Sequence, residues 1–226
     1  MKKIFLNLLF LIFCVLSTAQ FDRSMPDSEP APQINFEEPV SYELKNGLKV
    51  MFIENRKLPR ASVNLFIDNP PVTEGDLSGI GYLTGGIMGK GNVFQDKDSF
   101  NEEVDFMGAR MNFSSGGGSA FSLSRYFERV LTMFSQGILF PNFTKEEFDQ
   151  EKNILLDNIK NNDKNTGSIA RRVENILAYG ANHPYGEFTT IESMENIKLS
   201  DVTKFYDNYF KPNNAYLVII GDIDVK

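Results

Sequence analysis

The 226-residue chain has no tryptophan, one cysteine and one histidine. The cysteine, Cys14, lies in an apolar run near the start, so the chain beyond it has no thiol for a disulfide, a nucleophile or a soft-metal ligand. A hydrolytic zinc site takes three protein ligands and leaves a position for water. With His183 as the single imidazole, the other ligands would be carboxylates, which favour harder cations. A Ser/His/Asp triad would have to use His183, and no G-x-S-x-G turn exists to present its serine. His183 lies in Asn182-His183-Pro184-Tyr185-Gly186, where the expected role is a loop histidine bonded to backbone. Gly116-Gly117-Gly118 lacks a following Gly-Lys-Ser/Thr, which excludes a phosphate loop and leaves a flexible hairpin tip.

The first residues are read as a secretory leader. Lys2 and Lys3 precede the apolar stretch Ile4 to Leu16, and Ser17-Thr18-Ala19 supplies small residues for cleavage. The stretch is too short for a stable membrane anchor. Bulky Ile12 and Phe13 before Cys14 disfavour lipidation. Removing Lys2 and Lys3 from 23 basic residues leaves 21 against 30 acidic ones, so the balance moves from −7 to −9 with His neutral. That surface disfavours nucleic acid and anionic membranes as partners. Export without disulfides points to a bacterial periplasm. The expected organisation is a leader over 1–19, an extended proline-bearing linker over 20–40, and one domain over 41–226.

Periodicity then places the elements. Tyr42 to Leu44 and Val50 to Ile53 flank Asn46-Gly47, a hairpin signal, and Ala61 to Ile67 alternates as a third strand. Helices are expected over the apolar stretch Gly79 to Met88, and from an Asp98 cap to about Met107, closed by Gly108. Strands are expected over Arg110 to Ser115 and Ser119 to Tyr126, then an amphipathic helix from Phe127 to Phe140. Thr144 with Glu147 reads as a capping box opening a long helix past Ile159. Ser168 to Tyr179 and, after a Ser200 cap, Asp201 to Phe210 follow as helices, and the apolar run Ala215 to Ile220 reads as a central strand. This order predicts an α+β, two-layer domain with helices packed on a mostly antiparallel sheet. The end of the chain directly behind an apolar strand fits a first domain followed by others.

The stretch Ser78-Gly79-Ile80-Gly81-Tyr82-Leu83-Thr84-Gly85-Gly86-Ile87-Met88-Gly89-Lys90-Gly91 resembles the segment bearing the inverted zinc motif of the pitrilysin/insulinase metallopeptidase family. In H-x-x-E-H the two His lie one helical turn apart and face one metal, and the Glu polarises its water. By that resemblance Tyr82 stands at the first His, Gly85 at the general base and Gly86 at the second His. The third-ligand helix resembles Glu151-Lys152-Asn153-Ile154-Leu155-Leu156-Asp157-Asn158, where Glu151 survives and Asn158 takes the ligand position. Asn46-Gly47-Leu48, Phe106 to Asn112, Pro141 with Phe148 and Glu151, His183-Pro184-Tyr185-Gly186 and Phe205 to Asp222 resemble further family segments in the same order.

The resemblance implies a metallopeptidase-like fold with no catalytic residue, metal or cofactor of its own. It implies a non-catalytic half working with an active pitrilysin-type zinc peptidase subunit or domain, and extended peptides bound along a sheet edge. The contact strand would be Met111, Asn112, Phe113, Ser114 and Ser115, with the Gly116, Gly117 and Gly118 tip. A free-standing peptide-binding or chaperone-like module, and an active peptidase whose metal site lies outside this chain, remain alternatives. Two adjacent glycines in a helix cost about 1 kcal/mol each relative to Ala, a loss that close packing of another chain or domain would offset.

Overall fold

The computed structural model describes residues 38–224; the expected leader and all but the last three residues of the expected linker lie outside them. The fold is built on a six-stranded sheet in the order β1-β2-β6-β3-β5-β4. Its strands are β1 (Val40–Glu43), β2 (Lys49–Glu54), β3 (Arg60–Ile67), β4 (Arg110–Ser114), β5 (Gly117–Leu123) and β6 (Ala215–Gly221). Only the β2–β6 pair is parallel; the other four pairs are antiparallel. The apolar run of β6 therefore sits inside the sheet, between β2 and β3, as its composition demands.

Alternation decides which face is covered. Ala61, Val63 and Leu65 of β3 are buried, whereas Ser62, Asn64 and Phe66 turn to the other face. Register places Ile220, Val218 and Tyr216 of β6 beside those three. On the covered face lie α2 (Lys97–Phe106) and α3 (Ser124–Leu139). In α3, Phe127, Val130, Phe134, Gly137 and Ile138 recur at three- and four-residue steps and are buried. A second cluster joins α1 (Ile80–Ile87), α4 (Lys145–Asn162), α6 (Ile191–Asn196) and α7 (Leu199–Tyr209) through Leu83, Ile87, Phe148, Met194, Ile197 and Val202. The remaining helix, α5 (Thr166–Tyr179), has no buried residue.

Several expectations are corrected by local chemistry. The cap of α2 is Asp96, whose carboxylate accepts from Ser99 N at 2.9 Å; Asp98 lies in the first turn. Thr144 caps α4, but Glu147 bonds Lys97 at 3.1 Å instead of returning to the cap, so no full capping box forms. Ser124 to Tyr126 belong to α3 and not to β5, and α7 begins at Leu199 behind Lys198 instead of after a Ser200 cap. The short helix α6 has no counterpart in the periodicity. Gly117 and Gly118 are strand residues of β5, paired to Phe66 and Leu65 on one side and to Ser114 and Phe113 on the other. A Cβ at Gly117 would strike the Leu65 carbonyl, so glycine serves a close strand approach here, and the turn proper is Ser115-Gly116.

Candidate functional site

α1 is the helix that carries Tyr82, Gly85 and Gly86. Its N-cap is Gly79 at φ 102°, which offers no side chain to the free N–H groups of the first turn. Glu74 supplies the acceptor: its carboxylate takes Gly79 N at 2.6 Å and Gly81 N at 3.0 Å. Glu187 in turn accepts from Glu74 N at 2.8 Å and Gly75 N at 2.6 Å. A negative group at a helix N-terminus is favoured by the dipole. Burial nevertheless raises the Glu74 pKa, partly offset by its backbone hydrogen bonds, with the neighbouring Glu187 charge pushing the same way as burial. Ser193 Oγ donates to Ser78 O at 2.9 Å, tying α6 to the same end of α1.

The three positions on α1 meet different surroundings. Gly85 lies against the end of β4: a Cβ there would stand 2.8 Å from Ser114 Cα and 2.8 Å from Ser115 N. Gly86 lies beneath Glu151 of α4, whose carboxylate would meet a Cβ and pairs with Lys90 at 3.6 Å. Tyr82 is 75% exposed and shares a cleft of about 640 Å³ with Asn158. The fold thus brings Tyr82 and Asn158 to one cavity and sets Gly86 under Glu151, while Gly85 turns to the strand. The volume beside the two glycines is taken up by β4 and α4 of this chain. Among the described residues no group of three His, Cys, Asp or Glu side chains is placed to hold a metal ion. His183 accepts from Tyr185 N at its Nδ1, 3.1 Å, and stacks on Tyr179, as a loop histidine bonded to its own turn.

The contact strand divides by face. β4 is the last strand of the sheet, so its outer edge has no strand partner among the described residues. Phe113 stacks on Phe134 at 5.6 Å and packs with Met111 against the core, so these two face inward. Asn112 and Ser114 share the other face with Ser119 and Gly117. Ser115 follows β4 and borders a second cavity together with Glu74, Gly81 and Tyr82.

Sequence reasoning missed three features. Glu74 and Glu187 are 113 residues apart, and no local pattern marks either as the support of α1. Arg171 and Asn175 of α5 line the Tyr82–Asn158 cleft, as does Asn162 at the end of α4. The amides Asn158, Asn162 and Asn165 around the α4–α5 turn were the available signal.

No family model matches the chain. Zinc protease PqqE of Helicobacter pylori is 27% identical over 200 residues, 81% of this chain and 43% of that protein. The peptidase M16 inactive domain of Pseudomonas fluorescens superposes with a TM-score of 0.75 at 22% identity, over 83% of this chain and 47% of that one. The periplasmic protease PqqL of Escherichia coli superposes with a TM-score of 0.68 at 19% identity, over 86% of this chain and 23% of that one. The chain spans less than half the length of these relatives. The sheet and the α1–α4 arrangement agree with these relatives: the chain has the α+β fold of M16 metallopeptidase domains and is similar in sequence to pitrilysin-like zinc proteases.

Proposed function

We propose that the chain is the non-catalytic half of an exported M16-type peptidase, acting with an active zinc-binding half and receiving extended peptides. The observation that supports this reading is the condition of α1. Gly85 leaves no room for a general-base side chain without moving the β4 backbone, and Tyr82, Gly86 and Asn158 offer no imidazole or carboxylate. Water activation needs both a metal and a base, and the two carboxylates beside this helix are engaged elsewhere, Glu74 with Gly79 N and Gly81 N and Glu151 with Lys90.

The peptide contact is proposed along the free edge of β4. Main-chain hydrogen bonds would give affinity there, and Asn112 and Ser114 would meet alternate side chains. Export to the periplasm is supported by the basic and apolar start of the sequence and by the location of one relative. No helix among the described residues is long and apolar enough to cross a membrane.

The test is elemental analysis of the purified chain after dialysis against a chelator, with a peptide-hydrolysis assay on the same sample. The expected result is no stoichiometric zinc and no cleavage alone. Co-expression with an M16 subunit bearing an intact H-x-x-E-H should give a complex that cleaves. One tight zinc per chain, or cleavage by the chain alone that a chelator abolishes, would overturn the reading.

A further inference from the structure

The helix α5 is amphipathic with its sides reversed. Ile169, Val173 and Leu177 recur at four-residue steps and lie exposed, Leu177 to 82%. Ser168, Arg171, Arg172 and Asn175 line the cleft toward α4. A surface helix ordinarily buries its apolar stripe and gives the polar one to bulk water. Here the polar stripe faces Asn158 and Asn162 across a cleft large enough for several side chains. Among the described residues no Asp or Glu lines that cleft, although acidic residues outnumber basic ones 30 to 23 in the chain.

The two arginines are in different states. Arg172 donates from Nη2 to Asp163 at 2.5 Å and lies 5.1 Å over the Phe188 ring. Arg171 has no ion-pair partner among the described residues, and apart from the paired Arg172 the polar residues that share its cleft are neutral, most of them asparagine amides. A guanidinium presents a planar fork of donors that matches a carboxylate, and the amides of asparagine add further donors. One uncompensated cation balances one negative charge, which fits a carboxylate better than a phosphate dianion. Leu155, Ile159 and Met194 give the same cleft an apolar wall.

We propose that the α4–α5 cleft binds the C-terminal carboxylate of an extended peptide. Arg171 is the ion-pair partner, the amides of Asn158, Asn162 and Asn175 donate to the same group, and the apolar wall takes the terminal side chain. The proposal rests on the peptide-binding reading above. Tyr82 borders both this cleft and the cavity beside Ser115, so a chain leaving the β4 edge reaches the cleft past Tyr82.

The test titrates the full chain with fluorescein-labelled decapeptides ending in leucine: one with a free C-terminus, one amidated, and one amidated with an internal glutamate. Wild type should bind the free-acid peptide about tenfold more tightly than either amidated form, as expected for loss of a hydrogen-bonded charge pair. Arg171→Gln, on an exposed position, should weaken only the free-acid peptide, by about the same factor. N-acetyl-leucine at millimolar concentration should shift the Asn158 and Asn162 side-chain amide resonances, and N-acetyl-leucine amide should not. Equal binding of free-acid and amidated peptides overturns the carboxylate site and leaves peptide binding standing. Tight binding of the internal-glutamate peptide alone overturns the terminal assignment. Resonance shifts from N-acetyl-leucine without binding of any decapeptide overturn the peptide reading and keep the carboxylate site. Silence of both probes overturns both.

Discussion

The two sides of α1 differ in how they are filled. On one side Gly85 is in backbone contact with Ser114 and Ser115, and nothing larger than hydrogen fits. On the other, Tyr82 stands exposed over an open cleft with Asn158. The glycines themselves are both closed over, Gly85 by the β4 backbone and Gly86 by the Glu151 side chain. Where the helix faces a strand, the missing atoms let two backbones close on each other; where Gly86 faces α4, a side chain fills the volume, and only the Tyr82 flank stays open and lined by amides. A glycine pair in a helix is thus no weakness by itself. Its cost depends on what moves into the volume it leaves.

The sharpest way to break this comparison is to fill the closed side. Gly85→Leu should destabilise the chain by about 3 kcal/mol, because β4 backbone cannot give way as a side chain can. Asn158→Leu, across the helix and exposed, should change stability by less than about 0.5 kcal/mol. Urea midpoints of the two variants measure the contrast, and similar midpoints would show that α1 is not seated on β4 as described.

A smaller effect is expected at the N-terminus of α1. Glu74→Gln keeps one acceptor but turns an amide toward an N–H donor, and should cost about 1–2 kcal/mol at pH 7. The pH dependence has a definite sign. The Glu74 pKa is raised above its ordinary 4.5, so the folded state holds this proton more tightly than the unfolded chain. Its contribution to stability is therefore greatest at low pH and declines as pH rises through the window above 4.5. Glu103 is held low by its hydrogen bond from Arg129 and acts oppositely, its contribution being complete above 4.5 and lost as pH falls. Glu103 is common to both proteins, so the gap in thermal midpoint between wild type and Glu74→Gln should widen as pH is lowered from 7 toward 4.5. A gap that narrows would show that the hydrogen bonds to Gly79 and Gly81 outweigh burial.

The smallest effect is expected where the volume beside a glycine is held by a flexible chain. Gly86→Ala meets the Glu151 side chain from its Cγ outward, which can swing away at the loss of its Lys90 pair. It should cost less than about 1 kcal/mol by the same unfolding measurement, since a partly exposed ion pair contributes little. A cost as large as that of Gly85→Leu would mean that Glu151 is fixed and that both faces of α1 are closed.

What the sequence by itself determined lies in its short periods and its composition. The β1–β2 hairpin follows from Asn46-Gly47, although only Gly47 takes a positive φ, 85°. The buried stripe of α3 and the inner position of β6 follow from spacing and from an unbroken apolar run. The absence of imidazole and thiol ligands is fixed by counting: one His, and one Cys that lies in the leader-like start. The helix α6 escaped because six residues are too few to show a period, and its capping box uses Ser193 in place of Glu or Gln. Tertiary structure alone decided the rest. Gly85 meets Ser114, Glu74 and Glu187 hold α1 from opposite parts of the chain, and α5 turns its polar side inward. Periodicity states that a helix has two faces; which of them meets a neighbour is settled by contacts between residues far apart in sequence, and these carry no local mark.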